Sequence, residues 1–176
     1  MSKLKKILVG IAVLIGAFFL GGTMLPKEVN VSRHTTINAP AAPVFALVND
    51  FKAWPSWSPW LKKDPETELK YSEPSAGLNA WNSWKSDNNE VGVGKSTITA
   101  ATENQSLDIR LDFEGMGSAA SKWTFAETDG KTKVTWAFNT EAQSIVERYF
   151  FKLFINSAIA KDFDNGLAAI KEIAEK

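Results

Sequence analysis

Cysteine is absent from the 176 residues, which excludes disulfides, thiolate metal centres, a cysteine nucleophile and lipidation through a cysteine. Histidine occurs once, at His34, too little for a histidine-based zinc site, and no cofactor or metal is expected. Formal net charge is zero, so no broad basic face for nucleic acid is implied. Internal repeats, low-complexity tracts and a second linker are also missing. With four lysines and one glutamate in the first 28 positions, the remainder is mildly acidic, as suits a soluble domain. What the chain does have is 44% hydrophobic residues, with seven Trp and eleven Phe, enough for an aromatic-rich core.

The N-terminus carries the clearest signal. Lys3, Lys5 and Lys6 precede an uncharged run from Ile7 to Leu25, closed by Pro26-Lys27-Glu28. As a helix, residues 7–25 span about 28 Å, close to the ~30 Å of a hydrocarbon core. Lysines at its start put that end in the cytoplasm and residues after 28 outside it. A cleaved signal has a shorter apolar region and a small-x-small site, whereas this run ends Leu20-Gly21-Gly22-Thr23-Met24. The expectation is a single-pass anchor in residues 1–28 and one extracytoplasmic domain in 29–176, periplasmic if the cell is Gram-negative.

In the domain, Val29–Ile37 reads as a strand, Ala41–Asp50 as a short helix, and the proline-broken FKAWPSWSPW as helical turns packed by Trp54, Trp57 and Trp60. Strands follow over 69–71, 78–84 and 95–101. LDIRLDFE, residues 107–114, alternates apolar with charged throughout, the pattern of a sheet covered on one face. Ser118–Ala126 and Lys133–Phe138 flank a Thr128-Asp129-Gly130-Lys131 hairpin turn. From Val146 the period becomes three to four: Tyr149, Phe150, Leu153, Ser157, Ala160, Phe163, Leu167, Ile170 and Ala174 predict a long amphipathic helix, interrupted near Asn156. Trp81 and Trp84, three apart in one strand, cannot share a face.

GVGKST, residues 92–97, looks like the end of a phosphate-binding loop. That motif needs a glycine where Asn89 stands, a strand before it and a helix after it. Polar turn residues precede it here and β-branched Ser96-Thr97-Ile98-Thr99 follows. No nucleotide is expected at Gly92–Thr97; the glycines fit a bulge or a close backbone approach.

Three stretches together resemble the START/polyketide-cyclase-like (SRPBCC) superfamily, in its subset with one N-terminal anchor. They are VSRHTTINAPAAPVFALVNDFKAWPSWSPW, the glycine pair of EVGVGKSTIT, and DFDNGLAAIKEIAE, which is similar to the family's final helix. The resemblance covers residues 29–176. It implies an α+β helix-grip fold: a curved antiparallel sheet of about six or seven strands wrapped on a long C-terminal helix, preceded by one transmembrane helix. It also implies a hydrophobic cavity between sheet and helix. Members bind lipids, sterols, polyketides or plant hormones, and a minority catalyse cyclisation or dehydration, so the fold does not fix the function.

Alternation puts Phe113, Trp123, Trp136 and Phe138 on the covered sheet face, with Phe163 opposite on the helix; these five are the candidate ligand contacts. Small Ala119 and Ser121 on the same face leave space beside them. No inward acid or base, nucleophilic set or metal spacing can be named, so no catalytic residue is assigned. The expected partners are the membrane, through residues 7–25, and an apolar small molecule or lipid. The alternatives are an enzyme of the polyketide cyclase/dehydratase type, which needs inward polar groups, and a protein-interaction module with no open cavity.

Overall fold

The computed structural model describes residues 2–176. Helix α1, Lys3–Thr23, is exposed along its apolar length, and it is long and apolar enough to cross a membrane. Only Met24–Lys27 separate it from strand β1, Glu28–Ile37. That joint is pinned: the Ala142 amide donates to the Lys27 carbonyl at 2.9 Å, and the Lys27 ammonium lies 2.6 Å from Glu141.

Helix α2 (Ala41–Asn49), a 3₁₀ turn (Phe51–Ser56) and helix α3 (Pro59–Lys63) follow β1. Proline opens α3, where its missing N–H costs nothing. Six more strands complete a seven-stranded sheet: β2 Glu68–Tyr71, β3 Trp81–Lys85, β4 Val93–Thr102, β5 Ser106–Phe113, β6 Gly117–Thr128 and β7 Lys131–Glu141. Their order is β1-β7-β6-β5-β4-β3-β2 and every pairing is antiparallel. The hairpin turn after β6 has Asp129 and Gly130 both at positive φ, as a two-residue turn of that twist requires.

The alternation in β5 to β7 does what its spacing demands. Leu107, Ile109, Trp123, Phe125, Val134, Trp136 and Phe138 are buried, while Asp108, Arg110, Lys122 and Lys133 face outward. Over the inner face lies the C-terminal helical stretch, in three parts: α4 (Ile145–Phe150), a π-helical turn (Phe151–Ile155) and α5 (Asn156–Ala174). Phe163, Gly166, Leu167 and Ile170 of α5 are buried, and α5 lies closest to β1.

One expectation needs correction. Val146, Phe150, Leu153 and Ser157 belong to the predicted apolar stripe, but all four are exposed. Extrapolated straight back from Ala160 and Phe163, an α-helix would put Leu153 on the sheet. The wider π turn shifts the phase of everything before it. Phe151 takes the place against the core, and Leu153 and Phe154 turn out.

The glycine pair of GVGKST has two separate explanations. Gly92 has φ of +65°, the left-handed region. Gly94 has no room for a side chain, because a Cβ there would collide with the Trp84 ring and come within 2.6 Å of the Asp112 carbonyl. Lys95, beyond them, lies on the outer face with its ammonium 4.7 Å from the centre of the Trp81 ring, a cation–π contact. Trp81 and Trp84 therefore do face opposite sides.

Candidate functional site

The centre of the grip is an aromatic stack. Trp123 of β6 lies parallel to Trp136 of β7 at 4.2 Å, and Trp136 lies parallel to Phe163 of α5 at 3.7 Å. Trp57 and Trp60, from the proline-rich turns, close on it edge-on at 5.7–5.8 Å. Sheet and helix thus meet directly here. The indole of Trp136 donates to Ser121 Oγ at 2.9 Å, so Ser121 is a hydrogen-bond partner rather than the edge of a void. The indoles of Trp54 and Trp57 donate to the carbonyls of Val48 and Leu47, at 2.9 and 2.8 Å, tying the turns to α2.

Of the five candidate contacts, the structure brings Trp123, Trp136 and Phe163 together in that stack. Phe138 is buried one inward position further along β7. Phe113 stands apart at the end of β5, half-buried, with the Trp84 ring edge-on at 5.9 Å. His34 is exposed on the outer face of β1.

Sheet register organises the inner face into rows. Ser121 lies opposite Phe138 on one side and Ile109 on the other, and Ile109 lies opposite Ile98. One row closer to the anchor come Asn82, Ser96, Leu111 and Ala119. The last row holds Trp84, Gly94 and Phe113. Its inward side chains, with Leu111, are only half-buried, because α5 sits over β1 and leaves the β3–β5 half less covered. The inner face is least covered at this end. It is the same end at which β1 begins, since Glu28 pairs with Glu141 and the Thr140 hydroxyl donates to the Ser118 carbonyl at 3.1 Å.

Just inside that end are two polar side chains that sequence reasoning missed. Asn82 is 3% exposed and Ser96 is 0% exposed, and both point to the inner face. Neither Asn82 Oδ1 nor Ser96 Oγ has a hydrogen-bond partner. An orphaned buried polar atom costs about 1–3 kcal/mol, and native folds seldom tolerate one without a use. The signal for Ser96 was present, since it stands two before buried Ile98 in a period-two strand. For Asn82 the flanking tryptophans left the face ambiguous.

A salt bridge braces the helical side. Lys63 at the end of α3 lies 2.8 Å from Asp162 of α5 and 3.4 Å from Glu90. Burial pulls the Lys63 pKa down, but hydrogen bonding and charge from Asp162, then from Glu90, outweigh it and leave it above the usual 10.5. A lysine pKa raised by folding stabilises fully below the unfolded value and loses that contribution as pH climbs through the folded one. Asp162→Asn is therefore expected to lower stability by about 1 kcal/mol at neutral pH, the modest value of a partly exposed pair. The gap between parent and variant should close above pH 10.5 in urea melts.

A depression of about 520 Å³ lies elsewhere, on the outer sheet face. Asp108, Arg110, Lys122 and Glu141 line it together with Thr99, Ala120 and Asn139. Among the described residues no cluster of acidic, histidine or cysteine side chains is placed to hold a metal.

A seven-stranded antiparallel sheet gripping a long C-terminal helix, with a less covered end and buried polar atoms behind it, defines a helix-grip domain of the α+β class. The chain belongs to the polyketide cyclase / dehydrase and lipid transport family, whose model matches residues 28–175. No curated protein matches it in sequence. Among solved structures it is similar to protein CV1439 from Chromobacterium violaceum, with 12% identity, TM-score 0.63, and 86% of this chain and 99% of that one covered. KanY is similar at 20% identity and TM-score 0.64, covering 86% and 100%. The di-domain ARO/CYC BexL from the BE-7585A biosynthetic pathway is similar at 17% identity and TM-score 0.61, covering 85% of this chain and 51% of that one. At these identities the likeness carries the fold alone.

Proposed function

We propose that the protein is a membrane-tethered, extracytoplasmic helix-grip domain that binds an apolar small molecule or lipid with one polar group. The observation that carries this reading is the orphaned pair, Asn82 Oδ1 and Ser96 Oγ, behind the half-buried Leu111, Phe113 and Trp84. Asn82 Oδ1 needs a donor, and Ser96 Oγ gives or takes a proton. A hydroxyl, amide or protonated carboxyl on the ligand satisfies both. The apolar body then lies toward the less covered end, against Leu111, Phe113 and Trp84. Of the five sequence candidates, Phe113 falls next to this pair, one row out on β5, while Phe138 lies three strands from Ser96 on β7 and Trp123, Trp136 and Phe163 form the filled stack further along the grip.

The cyclase or dehydratase alternative needs a group that moves a proton near neutral pH. The inward polar groups at the pair are an amide and an alcohol, and Asp162 is held by Lys63. This favours binding over chemistry. Tethering favours it too, because a domain joined to α1 by Met24–Lys27 stays at high effective concentration beside lipid. The lysines at the start of α1 support a cytoplasmic N-terminus, and protease reaching residues 29–176 in spheroplasts checks that orientation.

The test uses Asn82→Leu and Ser96→Ala. Each removes an unpaired polar atom, so stability should hold or rise by up to about 1 kcal/mol in the ligand-free protein. Affinity for a fluorescent fatty-acid probe should fall about tenfold, the loss of one hydrogen bond to a buried partner. Loss of stability with unchanged probe affinity would mean the pair serves the fold and not a ligand.

A further inference from the structure

We infer that α4 and the π turn lie in the interfacial layer of the leaflet holding the C-terminal end of α1, with Val146, Phe150, Leu153 and Phe154 against lipid. This rests on α1 being a membrane anchor, and it adds a second, independent contact between domain and bilayer.

Side chains of α4 fix its depth. Ile145 packs on Gly22, and one turn later Tyr149 packs on Gly21 and Gly22 and reaches further back along α1. The Tyr149 ring stacks on Phe18 at 4.7 Å, and its hydroxyl donates to the Phe18 carbonyl at 3.0 Å. The two helices therefore run antiparallel, with α4 heading back along α1. Phe18 stands five residues before the end of α1 at Thr23, which is about 7–8 Å on the membrane side of that end. Arg148 secures the joint by donating to the Leu25 carbonyl at 3.2 Å and to the Gly22 carbonyl at 3.4 Å, just past and within the last turn of α1.

From that level the chain continues into Phe150, Leu153 and Phe154, which are 52%, 63% and 61% exposed, with Val146 at 63%. Phe150 and Phe154 neighbour each other at 5.9 Å, so the apolar residues form one patch. Two turns with that much aromatic surface, flanked by Arg148 and Lys152, have the character of an interfacial segment. The π turn is what permits it. By shifting the phase, it keeps Phe151 on the core while Leu153 and Phe154 face out. Met116 in the β5–β6 turn, 76% exposed, lies at the same end of the sheet, beside the row of Phe113. The less covered end of the grip and the lipid-facing patch are thus on one side of the domain.

Lack of native cysteine makes the experiment direct. Single-cysteine variants of the full chain, Phe154→Cys, Met116→Cys, Leu14→Cys and Lys131→Cys, are labelled with an environment-sensitive fluorophore. They are reconstituted in phosphatidylcholine vesicles containing some phosphatidylglycerol. A shallow nitroxide lipid and aqueous iodide serve as opposing quenchers. Labels at 154 and 116 should be quenched severalfold more by the lipid than the label at 131, which sits at the far end of the strands. Quenching by lipid at 14 but by iodide at 154 would overturn the interfacial patch and leave the anchor standing. Iodide access at 14 would overturn both. Protection of 154 from both quenchers would overturn the inference in favour of a protein partner or a second copy on that patch. Should Phe154→Cys not fold, Leu153→Cys reads the same surface.

Discussion

Replacing Trp136 by alanine is expected to lower the thermal midpoint by on the order of 10 °C. Among the described residues, Trp136 pairs with Trp57, Trp60, Trp123 and Phe163 at once in the aromatic core. Cutting a buried Trp to Ala costs about 3–5 kcal/mol, and more where the surroundings cannot collapse into the hole. Rings held from three sides, on sheet, helix and proline-rich turns, collapse poorly. The variant also removes the indole N–H that Ser121 receives, leaving that hydroxyl buried without its donor. At ~2–4 °C per kcal/mol for a domain of this size, the shift follows. A calorimetric or circular-dichroism melt decides it. A loss below about 1 kcal/mol would mean Trp136 borders open space and not a filled centre.

The second large effect is at Gly94. Its alanine variant should lose about 2–3 kcal/mol, at the upper end of overpacking costs, because one clash is with backbone. The Trp84 ring is free to swing aside; the Asp112 carbonyl, fixed in the β4–β5 ladder, is not. Gly92→Ala is the matched control. No atom lies within 4 Å of a Cβ at Gly92, and the expected cost is only the strain of a left-handed backbone, about 1 kcal/mol. Equal losses at the two positions in urea titrations would contradict the steric account. The contrast would show that each glycine of the phosphate-loop-like string answers a separate structural need, one a left-handed turn and the other a close packing contact.

Much of the fold was legible because single-strand patterns state their own geometry. LDIRLDFE assigned both faces of β5, and the Asp129-Gly130 turn set β6 against β7. From these the inward set Trp123, Trp136 and Phe138 follows by parity alone. The C-terminal helix was legible in its second half only. An interruption near Asn156 was legible and the π turn ends there, but its change of phase was not: Leu153 fits the stripe on a wheel of 3.6 residues and faces out in the molecule. Mutual packing was hidden for a different reason. Parity puts Ser121 inward but does not say that the Trp136 indole reaches it, so the small residue read as space. The polar pair was hidden as well, because short β3 has no alternation long enough to place Asn82. A property of two strands in register is not written in either one.

The most direct measurement is native mass spectrometry of the full chain, released gently from the membrane in which it was expressed. A discrete adduct of one amphiphile in the parent, lost from the Asn82→Leu, Ser96→Ala double variant at equal folded yield, is the expected result. A bare mass in the parent, with no binding of the fatty-acid probe, would contradict ligand binding and leave the domain as an interaction module.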